Sequence, residues 1–542
     1  MIHKRAQSGL RARAVVFVAA LALVAAACGG GDEADDAAPA PDTGGAEVDG
    51  SGSDGSGSDG SGTDSSGSDS TDTPVEETAA PSDSDPEPTE PASEPVESGS
   101  ATEQATDMAG EEPTVDEPSE VAAAPVWAGL AGSMAPADPS ELTASWRGVT
   151  PDTITIGVSM LNFDLLQEMG LTAAGWGDQQ GVFQALVDDL NANGGILGRD
   201  VVAVYDYYSP IDAADAERAC TVLTQDNEVF AAVLGFVGPL AGTADPCFAG
   251  TNDTPLVGGE QTPDELALAT APWFNVEPST DDHTSNLLDL LVQTGRAEGA
   301  GVFVVSHQAS TGDEPLVLEG LSARGIEVVG TAVLDANDGD TAAQDQLMQV
   351  ISERIRADGA DTVMINGNPA ATIRGLGLNG LLGSVAIWSN NAAGLNNLGE
   401  TFDHEWARGA IASDGPSELD IWNDAVFQDC VRAVEAAGIG ADLRPTAELA
   451  DDDENWFNPT RRYCGHLSLF AQIAAAAGPD LTPETFEQAA YTLNDFVLPG
   501  APANSLSPTK LGARDLYRLT TFDPDVGNGE NVPLTELIDI VG

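Results

Sequence analysis

Positively charged side chains are scarce in this sequence. Its 542 residues include 20 lysines and arginines against 88 aspartates and glutamates, which gives a formal net charge of −68. Lys4 and Lys510 are the only lysines. Because binding to polyphosphate requires a basic surface, this composition excludes a nucleic-acid-binding protein. It also argues against direct adhesion of the folded part to an anionic membrane surface.

Cysteine is scarce as well. Apart from Cys28, the sequence contains Cys220, Cys247, Cys430 and Cys464. Four cysteines allow three pairings, and we predict disulfides Cys220–Cys247 and Cys430–Cys464, because each would join successive predicted helices. The alternative is a metal site, but there is no Cys-x-x-Cys motif and the five histidines are scattered, so neither a metal nor a cofactor is expected.

The first 28 residues have the pattern of an export signal. The basic residues at its start are Lys4, Arg5, Arg11 and Arg13. The uncharged run Ala14–Ala27 is too short to span about 30 Å of hydrocarbon but suits a signal-peptide core. Since Ala25-Ala26-Ala27-Cys28 resembles a bacterial lipobox, we predict a signal peptide at 1–27 and a lipid anchor on Cys28. Ordinary secretory cleavage is the alternative, because Ala25 stands where leucine is preferred.

Residues 28–146 are predicted to be a disordered acidic linker. From 29 to 146 there are 29 acidic residues and no basic one. Gly50–Ser70 repeats Gly, Ser and Asp, and 74–120 is rich in Pro, Glu, Ser and Thr, a composition that cannot bury enough apolar surface to fold. Such a coil would reach about 60 Å. We interpret it as a tether, with a plain solubilising tail as the alternative.

Residues 147–542 alternate apolar strands with helical patterns. The predicted strands lie at Ile154–Ser159, Val201–Asp206, Phe230–Gly235, Pro255–Gly258, Gly301–Ser306, Ile326–Val333, Thr362–Asn366 and Val385–Trp388. The predicted helices lie at Gly177–Asn193, Ala213–Gln225, Ala241–Gly250, 282–295, 313–324, 341–357 and 369–379. This alternation predicts an α/β fold with parallel sheets covered by helices on both faces. The strands are too many for one ordinary domain, so two doubly wound lobes are expected.

Four motifs follow one another in a definite order. They are Gly148-Val149-Thr150 before the first strand, Trp176-Gly177-Asp178 at the first helix, the turn Asn191–Arg199, and the strand–loop–helix–strand pattern of Phe230–Gly259. In this order they resemble the type I periplasmic binding proteins, specifically the leucine/isoleucine/valine-binding branch that serves ABC importers. The resemblance covers about 148–535, and the turn is its most specific part.

This resemblance implies two α/β lobes joined by a three-segment hinge, with a ligand bound between them. The chain would cross between lobes near 276, near 408 and near 495–515. Lobe 1 would then comprise about 148–276 and 409–500, and lobe 2 about 277–408 and 501–542. The implied partners are a small-molecule ligand and an ABC permease in the membrane, and we expect a monomer.

Ligands of parallel sheets bind beyond the carboxyl ends of the strands. In the first lobe the candidate ligand-binding residues are Ser159, Trp176, Phe236, Gly238, Thr243, Gly259, Glu260, Gln261 and Thr262. In the second lobe they are His307, Thr311, Asn366, Asn368, Ser389, Asn390 and Asn391. Turn chemistry is the alternative for the glycines and threonines, core packing for Trp176, and helix capping for Asn366 and Asn368.

The sequence departs from the family at two of these positions. The leucine-binding branch has a carboxylate after the strand at 385–388 to hold an α-ammonium group, whereas this chain has Ser389-Asn390-Asn391. Thr311 stands where the family commonly has an aromatic residue. Glu260 or Asp164 could supply the missing negative charge. The expected ligand is an amino acid, and an amide, a short-chain acid or another small polar metabolite is the alternative.

No catalytic residue is predicted. Gly375–Gly380 fits a dinucleotide fingerprint, but it follows a helix and precedes a strand, the reverse of what phosphate binding requires. The sequence has no Gly-x-Ser-x-Gly, His-Glu-x-x-His or P-loop motif. We therefore expect an extracytoplasmic binding lipoprotein rather than an enzyme. The alternatives are a ligand sensor of the same fold and an envelope hydrolase that would use His307.

Salt is expected to stabilise the folded part. Residues 147–542 hold 59 acidic and 16 basic side chains, a formal charge of −43. Repulsion between these charges destabilises the compact state, and dissolved ions screen it. We expect the melting temperature, measured by calorimetry, to rise as sodium chloride is increased from low to molar concentration. A melting temperature that stays constant or falls would contradict this expectation.

Overall fold

The computed structural model describes residues 137–541 apart from a few gaps. These gaps are 170–174, 239, 308–309, 311, 336–339, 400, 441–442, 451–452 and 528. The predicted signal peptide, Cys28, most of the predicted linker and Thr311 lie outside the described residues.

The first sheet consists of five parallel strands in the order β2-β1-β3-β4-β5. Its strands are β1 (Thr153–Leu161), β2 (Asp200–Tyr208), β3 (Ala231–Leu234), β4 (Leu256–Gly258) and β5 (Trp273–Phe274). β1 pairs with β2 through Ile154 and Val201, and with β3 through Ile156 and Ala231. This order is that of a doubly wound sheet, in which the chain winds in opposite directions on either side of the gap between β1 and β3.

The second sheet repeats this order and extends it. Its parallel strands are ordered β7-β6-β8-β9-β10, and β13, β14 and β15 add antiparallel pairs beyond β10. The strands are β6 (Gly301–His307), β7 (Glu327–Leu334), β8 (Thr362–Asn366), β9 (Ala386–Ser389), β10 (Ile411–Asp414), β13 (Leu516–Asp523), β14 (Glu530–Pro533) and β15 (Ile538–Asp539). A separate hairpin is formed by β11 (Asn494–Leu498) and β12 (Ala501–Ser505).

Helices cover both faces of each sheet. In the first half they are α1 (Phe163–Glu168), α2 (Gln179–Ala192), α3 (Ala213–Thr221), α4 (Pro263–Leu266), α5 (Thr280–Gln293), α6 (Glu314–Ala323) and α7 (Thr341–Asp358). In the second half they are α8 (Pro369–Leu378), α9 (Ala392–Asn396), α10 (Glu418–Trp422), α11 (Ala425–Ala436), α12 (Phe457–Ala477) and α13 (Pro483–Ala490). Within the described part, no helix is both long and apolar enough to cross a bilayer.

Each face of each sheet carries its own cluster of buried side chains. In the first lobe α2, α11, α12 and α13 pack on one face, and α3 on the other. In the second lobe α7 and α8 pack on one face, and α5 and α6 on the other. The predicted α/β fold with helices on both sheet faces is therefore confirmed.

The turn Asn191–Arg199 serves as a structural anchor. The side chain of Asn191 makes two hydrogen bonds with the backbone of Val201. Its Nδ2 donates to the Val201 carbonyl at 2.9 Å, and its Oδ1 accepts the Val201 N–H at 2.8 Å. Arg199 is buried, and its guanidinium donates to the carbonyls of Thr143, Thr150 and Pro479. The most specific motif of the sequence thus holds the start of β2 against the segment before β1, which explains its residue types without a ligand.

Both predicted disulfides are present. Cys220 in α3 is bonded to Cys247, and Cys430 in α11 is bonded to Cys464 in α12. Each bond joins segments on the same face of the first sheet, since the cysteines of each pair lie in one buried cluster. Both disulfides therefore stabilise the first lobe, and none of the four cysteines lies in the second.

The chain changes sheets later than the sequence indicated. The return to lobe 1 was expected near 408, but β10 at Ile411–Asp414 still pairs with β9 and β13, so the return falls after 414. Residues 501–513 were assigned to lobe 2, yet Ala501, Leu506 and Ala513 belong to the core of lobe 1. The physical reason is burial, because these side chains complete the apolar cover of the first sheet.

Substitution of Gly148 tests how closely the chain packs at the start of the first sheet. Gly148 (φ +71°) and Gly295 (φ +70°) share the left-handed conformation, which costs any other residue about 1–2 kcal/mol. A Cβ at Gly148 would lie 2.3 Å from the Phe230 nitrogen, whereas nothing lies within 4 Å of a Cβ at Gly295. We expect Gly148→Ala to destabilise the protein by about 1–3 kcal/mol more than Gly295→Ala, measured as melting temperature. Equal melting temperatures would contradict this packing.

Candidate functional site

Each parallel sheet has one point at which the winding direction reverses, and neighbouring strand ends are linked there. In the first sheet Ser159 near the end of β1 donates from its hydroxyl to the carbonyl of Gly235, directly after β3. In the second sheet Asn366 at the end of β8 lies 3.4 Å, Nδ2 to Oγ, from Ser306 of β6. Small-molecule ligands of doubly wound sheets bind outside the carboxyl ends of the strands at such points.

The hinge brings these two sheet edges together. It consists of three crossings, 275–279, 415–417 and 506–515, and the first two leave the carboxyl ends of β5 and β10. Asn275 donates its N–H to Leu511 and accepts one from Ala513, at 3.0 and 2.8 Å. Asp414, the last residue of β10, lies within electrostatic reach of Glu277 and Arg514. The carboxyl edges of both sheets therefore face the same region.

Three ion pairs, here called the hinge ion pairs, hold the third crossing in place. They are Arg514–Glu277, Lys510–Asp515 and Arg518–Asp420. Arg514 contacts both carboxylate oxygens of Glu277, with Nη2 to Oε1 at 2.7 Å. Burial alone would raise the pKa of Glu277, but Arg514 and Arg461 outweigh it and hold this pKa below its usual value. Glu277 is therefore ionised at neutral pH.

Asp245 ties together two strand-end loops of the first lobe. Its buried carboxylate accepts the N–H of Phe236, after β3, at 2.7 Å and that of Glu260, after β4, at 3.0 Å. Gly259 adopts φ +78°, and a Cβ there would lie 2.3 Å from Asp245 Oδ2. Burial raises the pKa of Asp245 well above its usual value, although the two N–H donors oppose the shift. No motif in the sequence pointed to this residue.

Several of the predicted ligand-binding residues of the first lobe have a structural role in the strand-end loops or in the core. The side chain of Phe236 is fully buried between Tyr208 and Phe248, which corrects its prediction as a ligand contact: this ring is part of the core. Gln261 is buried and donates to the Trp273 carbonyl at 3.1 Å. Thr262 is the N-cap of α4.

Other candidates of the first lobe remain accessible. Trp176 is half-buried, with its ring centroid 5.1 Å from that of Phe163. Thr243 is exposed. Glu260 is half-buried and its Oε1 lies 3.4 Å from the N–H of Gly238. Trp176, Thr243 and Glu260 are therefore the first-lobe side chains best placed to meet a ligand.

In the second lobe, amide side chains join the ends of three strands. Asn390, after β9, accepts the N–H of Gly367 at 3.1 Å and donates to Asn366 Oδ1 at 2.8 Å and to Thr284 Oγ1 at 3.1 Å. A Cβ at Gly367 would lie 3.0 Å from the Cβ of His307, which is buried at the end of β6. Asn390, Asn366 and His307 are thus brought together.

The remaining second-lobe candidates have local partners. Asn368 caps α8 and Asn391 caps α9, each through its side-chain oxygen. Ser389 is buried and its hydroxyl accepts the N–H of Asn391 at 3.2 Å. The capping alternative is therefore observed for Asn368, whereas Asn366 joins strands instead.

The first half of α12 lies beside the strand ends of the first sheet, and no sequence pattern predicted it. We call residues 456–466 the α12 wall. Trp456 approaches Gly177 so closely that a Cβ at Gly177 would lie 2.4 Å from its ring. Arg462 donates from Nη2 to the carbonyl of Leu234, at the end of β3, at 3.0 Å. The wall therefore borders the strand ends of the first sheet.

The α12 wall continues to the hinge. Gly465 faces the first crossing, since a Cβ there would lie 3.7 Å from Val276. His466 Nε2 lies 3.1 Å from Oδ1 of Asn275. Within the described residues no group of three or more His, Cys, Asp or Glu could hold a metal ion.

Residues 165–416 match the family model described as periplasmic binding protein. The matched segment runs from within α1 to just beyond β10. It contains the switch point of the second sheet, whereas β1, one of the two strands at the switch point of the first sheet, precedes it. Two sheets of order 2-1-3-4-5 joined by three crossings give the domain the type I form of the fold. The α12 wall lies outside the matched segment.

Solved structures of similar proteins include substrate-binding proteins of ABC transporters. One from Desulfitobacterium hafniense, in complex with leucine, is 15% identical, with 70% of this chain and 100% of that chain covered and a TM-score of 0.48. One from R. palustris, in complex with 4-hydroxybenzoate, is 16% identical, with 72% and 97% covered and a TM-score of 0.46. No curated protein sequence matches the chain.

Asp245 should matter more for the stability of the first lobe than its charge alone would suggest. Asp245→Ala leaves two buried N–H groups without an acceptor, and each such loss costs about 1–3 kcal/mol. We expect its melting temperature to fall by the equivalent of about 2 kcal/mol or more. Asp264→Ala removes an exposed carboxylate of the same lobe and should change stability by less than about 0.5 kcal/mol. If both variants melt alike, Asp245 does not hold the loops.

Proposed function

We propose that this protein is an extracytoplasmic substrate-binding lipoprotein of an ABC importer. It binds a small polar ligand in the cleft between its lobes and delivers it to a permease. The observation that carries the proposal is that the carboxyl edges of two sheets of identical strand order meet at one three-segment hinge. This arrangement supports a ligand that binds at the switch points of both sheets, because these lie on separate lobes.

Hinge closure is the proposed mechanism. A ligand that contacts both lobes binds the closed state more tightly than the open state. The difference between these two binding free energies is the amount by which the ligand favours closure. No covalent step is involved. The permease then recognises the closed form. The lipid on Cys28 and the acidic residues 28–146 would keep this domain attached to the outer face of the membrane while it moves.

The proposed ligand is an amino acid, with amides and short-chain acids as the alternative classes. The polar groups at the strand ends support a small polar ligand, because hydroxyl, amide and carboxylate groups from both lobes lie at these edges. A sensor of the same fold is the second candidate function. Uptake of the bound compound that depends on this chain favours the importer, and binding without such uptake favours the sensor.

A binding screen tests the proposal. The full chain is mixed in high salt with the standard amino acids, their amides, and the aromatic acids found in similar structures, and thermal shift and calorimetry are recorded. A ligand at 100 times its Kd should stabilise the protein by about 2.7 kcal/mol. Failure of every compound class to shift the transition would contradict a solute-binding function.

Two glycine variants show whether binding occurs at the strand ends. Gly367→Ala places a Cβ 2.5 Å from Ser310 Oγ beside His307, and should abolish the ligand-induced shift. Gly383→Ala introduces the same methyl group at a positive-φ position with nothing within 4 Å, and should retain the shift. If both variants respond like the unmodified protein, the ligand binds elsewhere.

A further inference from the structure

Arg461 lies on the α12 wall between the end of β3 and the hinge. It is four residues before Gly465, so both occupy the same face of α12, and Gly465 faces Val276 of the first crossing. Side chains of a helix point back toward its N-terminus. The charge of Arg461 acts on Glu277 of the first crossing and on Asp414 at the end of β10, so its guanidinium lies near the hinge, where the edges of the two sheets meet.

The neighbouring cations all have acceptors. Arg462 donates to the Leu234 carbonyl, and Arg514 is paired with Glu277. Lys510 donates to three backbone carbonyls and also pairs with Asp515. These residues therefore serve the framework of the hinge and of the first sheet, and each already has at least one acceptor in the protein.

Arg461 differs from all of them. It is half-buried, and within the described part of the chain its guanidinium makes no hydrogen bond or ion pair, although its charge acts on Glu277 and Asp414. Glu277 is already bound by Arg514, and Asp414 accepts the N–H of Gly415. Arg461 thus offers five N–H donors to solvent at the base of the cleft.

A partly buried arginine without an acceptor is costly, because its donors lose part of their hydration and gain no protein partner. The cost is recovered when a ligand supplies the acceptor. The planar guanidinium fits a carboxylate through two parallel hydrogen bonds, a geometry that an uncharged amide cannot match. In a chain with so few cations, an unpaired one at this position indicates recognition of an anionic group.

We propose that Arg461 binds the carboxylate of the ligand and thereby restricts the cargo to small molecules that carry one. This inference rests on the proposed solute-binding function. It assigns specificity to a residue outside the family-matched segment 165–416. A site built to bind a charged group rejects the uncharged analogue strongly, since the arginine would remain unpaired.

The test compares acids with their primary amides. The full chain and its variants are dialysed to equilibrium against a defined pool: the standard amino acids, 4-hydroxybenzoate, 3,4-dihydroxybenzoate, and the primary amide of each. Retained compounds are identified by mass spectrometry and their Kd values measured by calorimetry. Arg461→Gln removes the charge and Arg461→Lys keeps it. Arg296→Gln, at an exposed position in the second lobe, removes the same charge elsewhere.

We expect the unmodified chain to retain an acid and not the matching amide. Arg461→Gln should weaken binding of that acid about 10- to 100-fold, Arg461→Lys should weaken it less, and Arg296→Gln should leave it unchanged. Without ligand, Arg461→Gln should melt no lower than Arg296→Gln, because each variant loses one positive charge and the Arg461 side chain makes no hydrogen bond that could be lost. A structural role would instead lower this melting temperature.

Two results would overturn the inference in different ways. If the amide is retained as tightly as the acid, or if Arg461→Gln binds the acid normally, solute binding stands and Arg461 does not select the ligand. If the unmodified chain retains nothing from the pool, the proposed function fails and the inference fails with it.

Discussion

The pairing of the first and third crossings is the contact on which the site depends. Backbone hydrogen bonds join Asn275 to the third crossing, and the Arg514–Glu277 ion pair adds a charged contact beside them. A Cβ at Gly512 would lie 2.3 Å from the Glu277 carbonyl oxygen, so glycine permits this close approach. Because the first crossing starts at the carboxyl end of β5, this contact brings the edge of one sheet to the edge of the other.

Three positively charged residues stabilise the third crossing between the lobes. Lys510, Arg514 and Arg518 lie on or next to the third crossing, and each is paired with an acidic side chain. The arginine head groups of the last two pairs are largely buried, so salt screens these pairs less than it screens exposed charges. Salt can therefore relieve repulsion across the acidic surface while the hinge ion pairs persist.

The repeating strand–helix units up to residue 388 were predictable because their signals are local. The helix predicted at 341–357 is α7 (Thr341–Asp358), and the strand at Thr362–Asn366 is β8. No element after this region was predicted. β10 has only four residues and depends on pairing with the distant β13, and α12 is buried on most sides, so it lacks a clear apolar stripe.

The sequence by itself determined the fold class and the set of strand-end loops, because apolar periodicity and turn residues act over short distances along the chain. It favoured one of the three disulfide pairings, and the structure contains that pairing. Only the tertiary structure decided which polar groups in those loops are occupied. Asn390 is bound by Asn366 and Thr284, and the loops of Phe236 and Glu260 are held by Asp245. Arg461 lies far from all of them in sequence, and its position beside the hinge exists only after α12 packs on the first sheet. Arg462 of α12 donates to Leu234, 228 positions earlier in the chain, so no local pattern encodes where α12 packs.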